Sequence, residues 1–430
     1  MPLKCGLLGE KLVHSLSPEI HRRLGDYEYR LYEKKRDEVE DFLLHGGYDV
    51  LNVTIPYKKT AYRLCGELSP TAAELGNVNV VVKRLDGTLY GDNTDKAGFL
   101  KLVELAGVGA DGKKCLVLGT GGAAQTARCA LEGLGAADVV MISRSGENNY
   151  ENLHLHRDAK IIVNATPVGM FPDTESQPVA LKDFPECEAA IDLIYNPSPT
   201  KLLQEAASRG MAHIGGMAML EEQARLASVH MNANLYLYGA PGSGKSTYAK
   251  KLAAGKAMPL VDLDAEIEKA QGRTIAEIFA ADGEAAFRRI EKAALEKTAA
   301  KRGQIVALGG GALLDGDSRR LAEATGRIVF IDCPEEELLR RVAASESRPL
   351  LAGDRRQRLH ELLIARREHY ASFKERISGI SSYIFMLGRR RRLQAVCAAQ
   401  SHQEHAANSR RRPKAPPQFP PPDRSPCTRE

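Results

Sequence analysis

Short apolar runs alternate with helical stretches along most of the chain. Near the N-terminus the apolar run CGLLG is followed by the helical segment SPEIHRRL and then by the apolar segment YDVLNVTIP. A second unit opens with an apolar strand that passes through a glycine turn into a helix, KKCLVLGTGGAAQTARCALEGLG. Such alternation is typical of α/β folds with a parallel sheet. The pattern therefore predicts an α/β protein whose second unit contains a doubly wound sheet.

A third α/β unit follows a very short linker, about Ser228 to Ala233, and begins with NLYLYGAPGSGKSTYAKKLA. After about Ser378 the pattern decays, and seven of the 21 prolines lie beyond Gly388 together with runs of arginine. A segment of this composition cannot bury a core, which predicts disorder. We therefore expect domains at residues 1–97, 98–231 and 232–387, with the helix at about 217–229 returning to the first domain, and a disordered Arg/Pro-rich tail at 388–430.

Composition narrows the class of protein. The chain has 430 residues, of which 43% are hydrophobic and 27% charged, and this excludes a collagen-like or wholly disordered chain. No apolar run approaches the roughly 18 residues that a bilayer helix needs, and the N-terminus does not resemble a secretory signal. The eight cysteines are scattered singly, without metal-ligand spacing. We expect a soluble, cytoplasmic enzyme with reduced thiols.

The net charge of +5 is concentrated in the tail. Residues 388–430 contain ten Lys or Arg and three acids, so the rest of the chain is near neutral. A nucleic-acid partner would have to bind the tail alone, and the sequence favours small-molecule substrates instead.

The first glycine loop fits the pattern GxGxxA between a strand and a helix. It comprises Gly119, Thr120, Gly121, Gly122, Ala123 and Ala124. Backbone N–H groups of such a loop, with the helix N-terminus, can bind a pyrophosphate. The next strand ends in Ser143-Arg144-Ser145 and not in an acid, which favours NADP(H) over NAD(H). The alternative is that Arg144 is a solvated surface charge.

The second glycine loop, Gly239 to Ser246, matches the P-loop pattern in full. Its amides would wrap the phosphates of ATP, Lys245 would neutralise charge on the β- and γ-phosphates, and the Ser246 hydroxyl would ligate Mg²⁺. Asp262 and Asp264 flank Leu263 at a strand end and are predicted to face the same side. One carboxylate suits the metal and the other the acceptor hydroxyl.

Two ordered sets of motifs resemble known families. The segments HSLSPEIH, NVTIPYKK, GNVN, GDNTD, GTGGAA, NATPVGM, DLIYNP and GGMAMLEEQA resemble shikimate dehydrogenase over residues 1 to about 230. The segments GAPGSGKST, VDLD, GRTIAEIFAADGEAAFRRIE, ALGGGAL, RPLL and ARREHY resemble shikimate kinase over about 234–377. The resemblance implies a fusion of two enzymes whose reactions are consecutive in aromatic amino-acid biosynthesis.

The first resemblance implies a substrate-binding domain followed by an NADP-binding Rossmann-like domain. It assigns proton transfer to Lys58 and Asp95, and it leaves open which of them carries the proton. Substrate contacts are implied for Ser15, Ser17, Asn52, Thr54, Asn79, Tyr195 and Gln223, and cofactor contacts for Leu193 and Gly216 in addition to the glycine loop. Each of these residues also has a structural alternative. Ser17 before Pro18 could be a helix N-cap, Lys58 and Lys59 could be two solvated lysines, and Asn79 could be a turn residue.

The second resemblance implies a shikimate kinase P-loop domain. Asp264 would orient or deprotonate the acceptor hydroxyl, and Asp262 and Ser246 would serve Mg²⁺. The remaining implied contacts are Arg288, Gly310 and Arg366 to shikimate, and Gly242, Ser243, Gly244, Thr247, Arg341 and Arg348 to ATP, with Arg348 in a mobile lid. Arg341 could instead be a helix-surface charge. His402 and His405 have a possible metal spacing but lack partner ligands.

The sequence departs from the family patterns at two places. The motif usually read as GAVNT stands here as Gly76-Asn77-Val78-Asn79-Val80. Beyond Phe373 the kinase family continues into a last strand and helix, which this chain is expected to lack, leaving one edge of the sheet unpaired. The segment SSYIFML is apolar enough to substitute as a strand, but GRRRR directly after it cannot continue into a core-facing helix without burying charge.

The predicted function is reduction of 3-dehydroshikimate by NADPH, followed by phosphorylation of shikimate by ATP with Mg²⁺. The alternatives are an active dehydrogenase fused to an impaired kinase domain, and a nucleotide-sensing or RNA-binding module that uses the basic tail. Proton-transfer groups such as Lys58 and Asp95 argue against the last, because sensing does not need them.

Overall fold

The computed structural model describes residues 3–13, 15–256, 258–343 and 355–378. Residues Met1–Ile377 form one compact unit. The predicted tail at 388–430, the segment SSYIFML, His402, His405 and Arg348 lie outside the described residues. In the described part, no helix is long and apolar enough to cross a membrane. The architecture is α/β throughout, as the sequence predicts.

The first sheet has six strands in the order β2-β1-β3-β5-β6-β4 and is mixed. Its strands are β1 (Lys4–Gly9), β2 (Glu28–Glu33), β3 (Val50–Val53), β4 (Glu67–Leu68), β5 (Val80–Lys83) and β6 (Leu89–Asp92), and its helices are α1 (Ser17–Arg22), α2 (Val39–His45), α3 (Lys58–Leu64) and α4 (Pro70–Leu75). The strands β1, β2 and β3 are parallel, whereas β5 runs antiparallel to both β3 and β6. Lys58 therefore begins the helix after β3, and Asp95 follows β6.

The second sheet has five strands, all parallel, in the order β11-β10-β9-β7-β8. The strands are β7 (Lys114–Leu118), β8 (Asp138–Ile142), β9 (Ile161–Asn164), β10 (Ala189–Asp192) and β11 (Ala212–Gly215), with helices α5 (Asp95–Ala106), α6 (Gly122–Gly133), α7 (Lys201–Ser208) and α8 (Met217–Met231). The central strands β7, β9 and β10 are buried on both faces because helices cover each side. The glycine loop lies at the carboxyl end of β7, where doubly wound sheets bind ligands.

The third sheet has five strands in the order β13-β14-β12-β15-β16. The strands are β12 (Asn234–Tyr238), β13 (Leu260–Asp262), β14 (Ile305–Ala307), β15 (Gly326–Asp332) and β16 (Arg376–Ser378), and the helices are α9 (Lys245–Lys256), α10 (Leu263–Gln271), α11 (Ile275–Ala299), α12 (Gly316–Thr325), α13 (Glu335–Ala343), α14 (Arg355–Ala365) and α15 (Arg367–Ala371). The central strand β12 leads directly into the P-loop, so the loop amides lie at the carboxyl edge of the sheet. Within α11 the backbone departs from helical geometry at Gly283, where φ is +79°.

The edge of the third sheet is paired, so the expectation of an unpaired edge was wrong. The short strand β16 lies next to β15. The Phe330 amide donates a hydrogen bond of 2.9 Å to the carbonyl of Glu375, and the Ile377 side chain is buried. The three residues of β16 precede the point at which the sequence becomes basic and proline-rich.

Candidate active sites

The first candidate site is built around an ion pair between two helices that follow strands of the first sheet. Lys58 begins α3 and Asp95 begins α5, and the Lys58 Nζ donates to Asp95 Oδ2 at 2.6 Å. The side chain of Asp95 is 5% exposed and that of Lys58 is 22% exposed. The carboxylate is thus buried, and Lys58 is the more accessible member of the pair. Lys59, the next residue, is exposed, so the solvated-lysine alternative describes Lys59 and not Lys58.

A network of amides fixes the Asp95 carboxylate. Asn79 precedes β5, and its Nδ2 donates to Asp95 Oδ1 at 2.9 Å and to Thr94 Oγ1 at 3.0 Å. Its Oδ1 accepts from the Thr94 amide at 2.8 Å. Asn79 is buried, so it is not a solvated turn residue.

The atypical Asn77 belongs to the same network. Asn93 Nδ2 donates to Asn77 Oδ1 at 2.6 Å, and Asn93 Oδ1 accepts from the Asp95 amide at 2.9 Å. Both asparagines are about 5% exposed or less. The departure from the family motif is therefore compensated by a buried amide pair that braces the start of α5.

Asn52 lies on β3, where its register partner on β5 is Val80, the residue directly after Asn79. Tyr29 donates its hydroxyl to Asn52 Oδ1 at 2.8 Å and also hydrogen bonds to Ser17. Burial raises the pKa of Tyr29, so the phenol remains a donor. The ring of His21 stacks on that of Tyr29 with centroids 4.0 Å apart. Burial lowers the pKa of His21 to about 4, against an opposing hydrogen bond with Asn52, and the imidazole is neutral at pH 7.

The serines lie at the start of α1. Ser17 is the first helical residue, and Leu16 occupies the N-cap position without a side-chain hydrogen bond, so the N-cap alternative for Ser17 was wrong. Ser15 Oγ accepts from the Ser17 amide at 3.3 Å. Thr54 follows β3 and is half-buried.

Gln223 and Tyr195 come from the second half of the Rossmann-like part. Gln223 is half-buried on α8, and its Cγ lies 2.9 Å from the position a Cβ would take on Gly98. Gly98 is one turn after Asp95, so Gln223 packs beside the first turn of α5. Tyr195 follows β10 and is half-buried, and burial raises its pKa.

The first glycine loop uses its glycines for two different purposes. Gly119 has φ +114°, and a Cβ there would lie 3.1 Å from the carbonyl oxygen of Ala165. At Gly121 and Gly122, by contrast, a Cβ would meet no protein atom within 4 Å. These two glycines are not needed for packing, and they leave the N-terminus of α6 open to a ligand.

The other predicted cofactor residues directly follow β8, β10 and β11 of the same sheet. Ser143, directly after β8, accepts from the Gly146 amide at 2.6 Å, while Arg144 and Ser145 are exposed. A Cβ on Gly216 would lie 2.1 Å from the Leu193 carbonyl oxygen, so only glycine allows α8 to begin so close to the loop after β10.

A buried network that the sequence did not reveal joins the carboxyl ends of β9 and β10. Asp192 Oδ1 accepts from Asn164 Nδ2 at 3.0 Å, and Asp192 Oδ2 accepts from the Thr200 hydroxyl at 2.7 Å. Asn164 Oδ1 accepts in turn from the Thr166 amide and hydroxyl. Burial raises the pKa of Asp192 against its own hydrogen bonds. The motifs NATP and DLIYNP therefore hold each other in place.

The second candidate site is a cavity of about 640 Å³ at the carboxyl edge of the third sheet. Its lining includes Gly242, Gly244, Lys245, Ser246, Thr247, Asp262, Asp264, Arg288, Glu291, Gly310, Arg341 and Arg366. Gly242 and Gly244 have φ values of +87° and +91°, which side chains rarely adopt. The structure thus brings together every predicted kinase residue that it describes except Ser243, which is buried beneath the loop.

The two aspartates reach the cavity in different ways. Asp262 ends β13 and is the N-cap of α10, where its carboxylate accepts from the Ala265 amide at 3.5 Å. Asp264 lies in the first turn of α10 and not on the strand, and the intervening Leu263 is fully buried. Asp262 and Asp264 both line the cavity, in agreement with the prediction that their side chains face the same side.

The arginines of this cavity are held by backbone carbonyls and acids. Arg366 Nη1 donates to the Gly310 carbonyl at 2.8 Å, and Arg288 Nη1 donates to Glu291 Oε2 at 2.5 Å. Arg341 Nη1 lies 3.3 Å from the Ser243 carbonyl and 3.4 Å from that of Gly242, so it is not merely a surface charge. Arg348 remains a prediction outside the described residues.

Glu291 is a cavity residue that the sequence did not reveal. Its side chain is 4% exposed, and burial raises its pKa despite the charge of Arg288. Its Oε1 has no hydrogen-bond partner among the described residues. The only signal in the sequence is its position three residues after Arg288 on one helix face.

The two sites indicate the class of protein to which the chain belongs. A Rossmann-like sheet with an open glycine loop lies beside a cleft that holds a Lys–Asp pair, as expected of a nucleotide-dependent oxidoreductase. A P-loop cavity lined by acids and arginines follows on the same chain, as expected of a small-molecule kinase.

Comparison with known families agrees with this class. The model of the shikimate dehydrogenase substrate-binding domain matches residues 7–81, and the model of the shikimate kinase family matches residues 241–383. The NADP⁺-dependent shikimate dehydrogenase of Clostridium perfringens strain SM101 is 36% identical over 239 residues, spanning 51% of this chain and 88% of the relative. The NADP⁺-dependent shikimate dehydrogenase of Syntrophomonas wolfei is 35% identical over 252 residues, and the match spans 51% of this chain and 86% of the relative.

A chorismate mutase/shikimate 5-dehydrogenase fusion protein from Clostridium acetobutylicum is 32% identical, with a TM-score of 0.50, and the match covers 53% of this chain and 90% of that one. The shikimate 5-dehydrogenase of Thermus thermophilus in complex with NADP(H) and shikimate is also 32% identical, with a TM-score of 0.48, covering 53% and 92%. The chain belongs to the shikimate dehydrogenase family, and it carries a shikimate kinase domain at its C-terminal side.

Proposed function

We propose that the N-terminal half reduces 3-dehydroshikimate to shikimate with NADPH, and that the C-terminal half phosphorylates shikimate at its 3-hydroxyl with ATP and Mg²⁺. The observation that carries the first part is the buried Lys58–Asp95 pair braced by Asn79, in a chain of the dehydrogenase family. The relatives that match this half are named for NADP⁺, which supports the choice of cofactor.

In the first site, the substrate ketone needs one proton as it becomes a hydroxyl. Lys58 or Asp95 would donate that proton to the ketone oxygen, and a solvent water would then return a proton to the pair, whose members can exchange it through the 2.6 Å contact between Lys58 Nζ and Asp95 Oδ2. The substrate hydroxyls would be bound by Asn52, Thr54, Asn79 and Gln223. The substrate carboxylate would be bound by Ser15 and Ser17, and Tyr195 would also contact the substrate.

The glycine loop fits the dinucleotide. Open space at Gly121 and Gly122 admits a pyrophosphate against the first amides of α6. Arg144 is exposed after β8 and would meet a 2′-phosphate. Bound NADPH would supply the hydride that reduces the carbonyl carbon.

The P-loop cavity fits a nucleotide and its metal. Lys245 Nζ donates to the carbonyl oxygens of Gly239 and Ala240 at about 3 Å, and so lies within the loop that would enclose the phosphates. Among the described residues, no cluster of three His, Cys, Asp or Glu could hold a metal alone. Ser246 and Asp262 would therefore hold Mg²⁺ together with phosphate oxygens, as this ion prefers.

The acceptor side of the cavity fits an anionic polyol. Arg288 and Arg366 supply positive charge for a carboxylate, and Gly310 would contribute its backbone. Asp264 would orient the attacking hydroxyl. The pairing of β16 with β15 supports an active kinase over the alternative of an impaired one.

Separate assays of the purified protein test the two parts. NADPH absorbance is followed with 3-dehydroshikimate, and ADP formation is followed with shikimate, ATP and Mg²⁺. We expect both reactions. NADPH consumption without ADP formation would replace this proposal with an active dehydrogenase fused to an inactive kinase domain, and the absence of NADPH consumption would overturn the first assignment.

A further inference from the structure

The surface between the first and third sheets carries an ionic contact that neither active site uses. Lys256, the last residue of α9, donates to Asp49 Oδ1 at 2.5 Å, and Asp49 Oδ2 accepts from the Lys4 amide at 3.0 Å. The side chains of Lys256 and Asp49 are 18% and 23% exposed. Asp49 directly precedes β3, so α9, the helix after the P-loop, is tied at its far end to the dehydrogenase half.

A second contact joins the edge of the third sheet to the turn between β5 and β6. Glu375 Oε1 accepts from the Leu85 amide at 3.0 Å and from Arg327 Nη2 at 2.7 Å. The side chain of Glu375 is 6% exposed. The Glu375 carboxylate thus accepts hydrogen bonds from a backbone amide of the dehydrogenase half and from a guanidinium of the kinase half, at an almost fully buried position.

The connecting segment is bonded to both halves. Only Asn232 and Ala233 separate α8 from β12. Asn232 Nδ2 donates to the Leu24 carbonyl at 3.0 Å, and its own carbonyl accepts from the Gly303 amide at 2.8 Å. A linker this short, fixed on both sides, leaves little freedom for the halves to separate.

The electrostatics are consistent with a contact that favours the folded chain. Burial alone would raise the pKa of Asp49, but the charge and hydrogen bond of Lys256 and the amide of Lys4 outweigh it and hold that pKa below its usual range. The ionised carboxylate is therefore better stabilised in the folded chain than in the unfolded one. Interfaces between domains of one chain are mobile by default. Two charge-assisted contacts and a linker bonded on both sides are the observations that set this interface apart.

We propose that the surface formed by Asp49 and the Leu85 turn is the docking surface for the kinase half of the same chain, and that its contacts with Lys256 and Glu375 make the two halves unfold as one cooperative unit. Two independent domains joined by a linker would instead unfold separately.

Hydrogen exchange of the ligand-free protein tests this without any assumption about activity. Ile305→Val shortens a fully buried side chain in β14 of the kinase half. Such a change shifts the folding equilibrium by roughly 2- to 12-fold. In one cooperative unit, the slowest amides of β5 in the dehydrogenase half will exchange faster by the same factor as those of β12. If only the kinase half exchanges faster, the proposal is overturned.

Variants of the contacts themselves complete the test. With Asp49→Asn and Glu375→Gln together, the effect of Ile305→Val should be confined to the kinase half. The matched control is Asp317→Asn, which removes a surface ion pair with Lys292 inside the kinase half, and it should leave the two halves coupled. If the paired variant still shows equal changes in both halves, these contacts do not carry the coupling.

Discussion

Replacing Lys58 by alanine is the sharpest perturbation of the dehydrogenase site. Lys58 touches the carboxylate of Asp95 but belongs to α3, far along the chain from the glycine loop after β7. The variant should therefore lose proton transfer while it keeps the cofactor surface. Removing a proton-transfer group typically slows a reaction by about 10²- to 10⁴-fold, which corresponds to roughly 3–5 kcal/mol of transition-state stabilisation.

The same change has a smaller, separable effect on folding. Asp95 is 5% exposed, and Lys58 is the partner of its Oδ2, while Asn79 still donates to Oδ1. Leaving one buried carboxylate oxygen without its donor costs about 1–3 kcal/mol of stability. We therefore expect a lowered melting temperature but a folded protein, and a loss of kcat much larger than any loss of folded fraction explains.

The assay compares kcat with 3-dehydroshikimate, the Kd of NADPH and the rate of ADP formation from shikimate and ATP. Only kcat with 3-dehydroshikimate should change strongly, and the other two quantities should stay close to those of the unmodified protein. Lys59→Ala is the matched control, because Lys59 is exposed one residue further along the same helix. Near-normal turnover in Lys58→Ala, or an equal loss in Lys59→Ala, would refute the assigned role.

Other expectations concern the cofactor, the kinase and pH. NADPH should be preferred over NADH, and Arg144→Ala should shrink that preference, whereas equal use of both cofactors by the unmodified protein would contradict the role of Arg144. Lys245→Ala and Asp264→Asn should each abolish ADP formation that depends on shikimate, and full activity of Asp264→Asn would exclude shikimate as the acceptor there. His21, with its pKa lowered by burial to about 4, binds its proton more readily in the unfolded chain, so the free energy of unfolding should fall by up to about 3 kcal/mol as pH drops from 6.5 to 4. In denaturant titrations His21→Phe should flatten this slope, and an unchanged slope would show that His21 does not cause it.

The sequence predicted the features that depend on local pattern. The glycine loops, the strands before them and the helices after them are contiguous in the chain, so their spacing alone indicates the structure. The short linker before β12 was predicted for the same reason. The cleft residues Lys58, Asn79 and Asp95 came from the family resemblance, and the structure places them in contact.

The features that were missed depend on distant pairing. Nothing near Asn77 in the sequence indicates that Asn93 will pair with it, and nothing near Asn164 indicates Asp192. The strand β16 was missed because three residues are too few for a periodic signal, and they pair only once β15 is in place. A short strand is decided by its neighbours in the sheet, which the sequence does not show locally.

The central claim is that one chain converts 3-dehydroshikimate into shikimate 3-phosphate. The most direct measurement incubates the purified protein with 3-dehydroshikimate, NADPH, ATP and Mg²⁺, and follows NADPH loss and ADP formation together. We predict that both occur, that Lys58→Ala abolishes both because no shikimate forms, and that Lys245→Ala abolishes ADP formation only. ADP formation in Lys58→Ala at the unmodified rate, or none in the unmodified protein, would contradict the account.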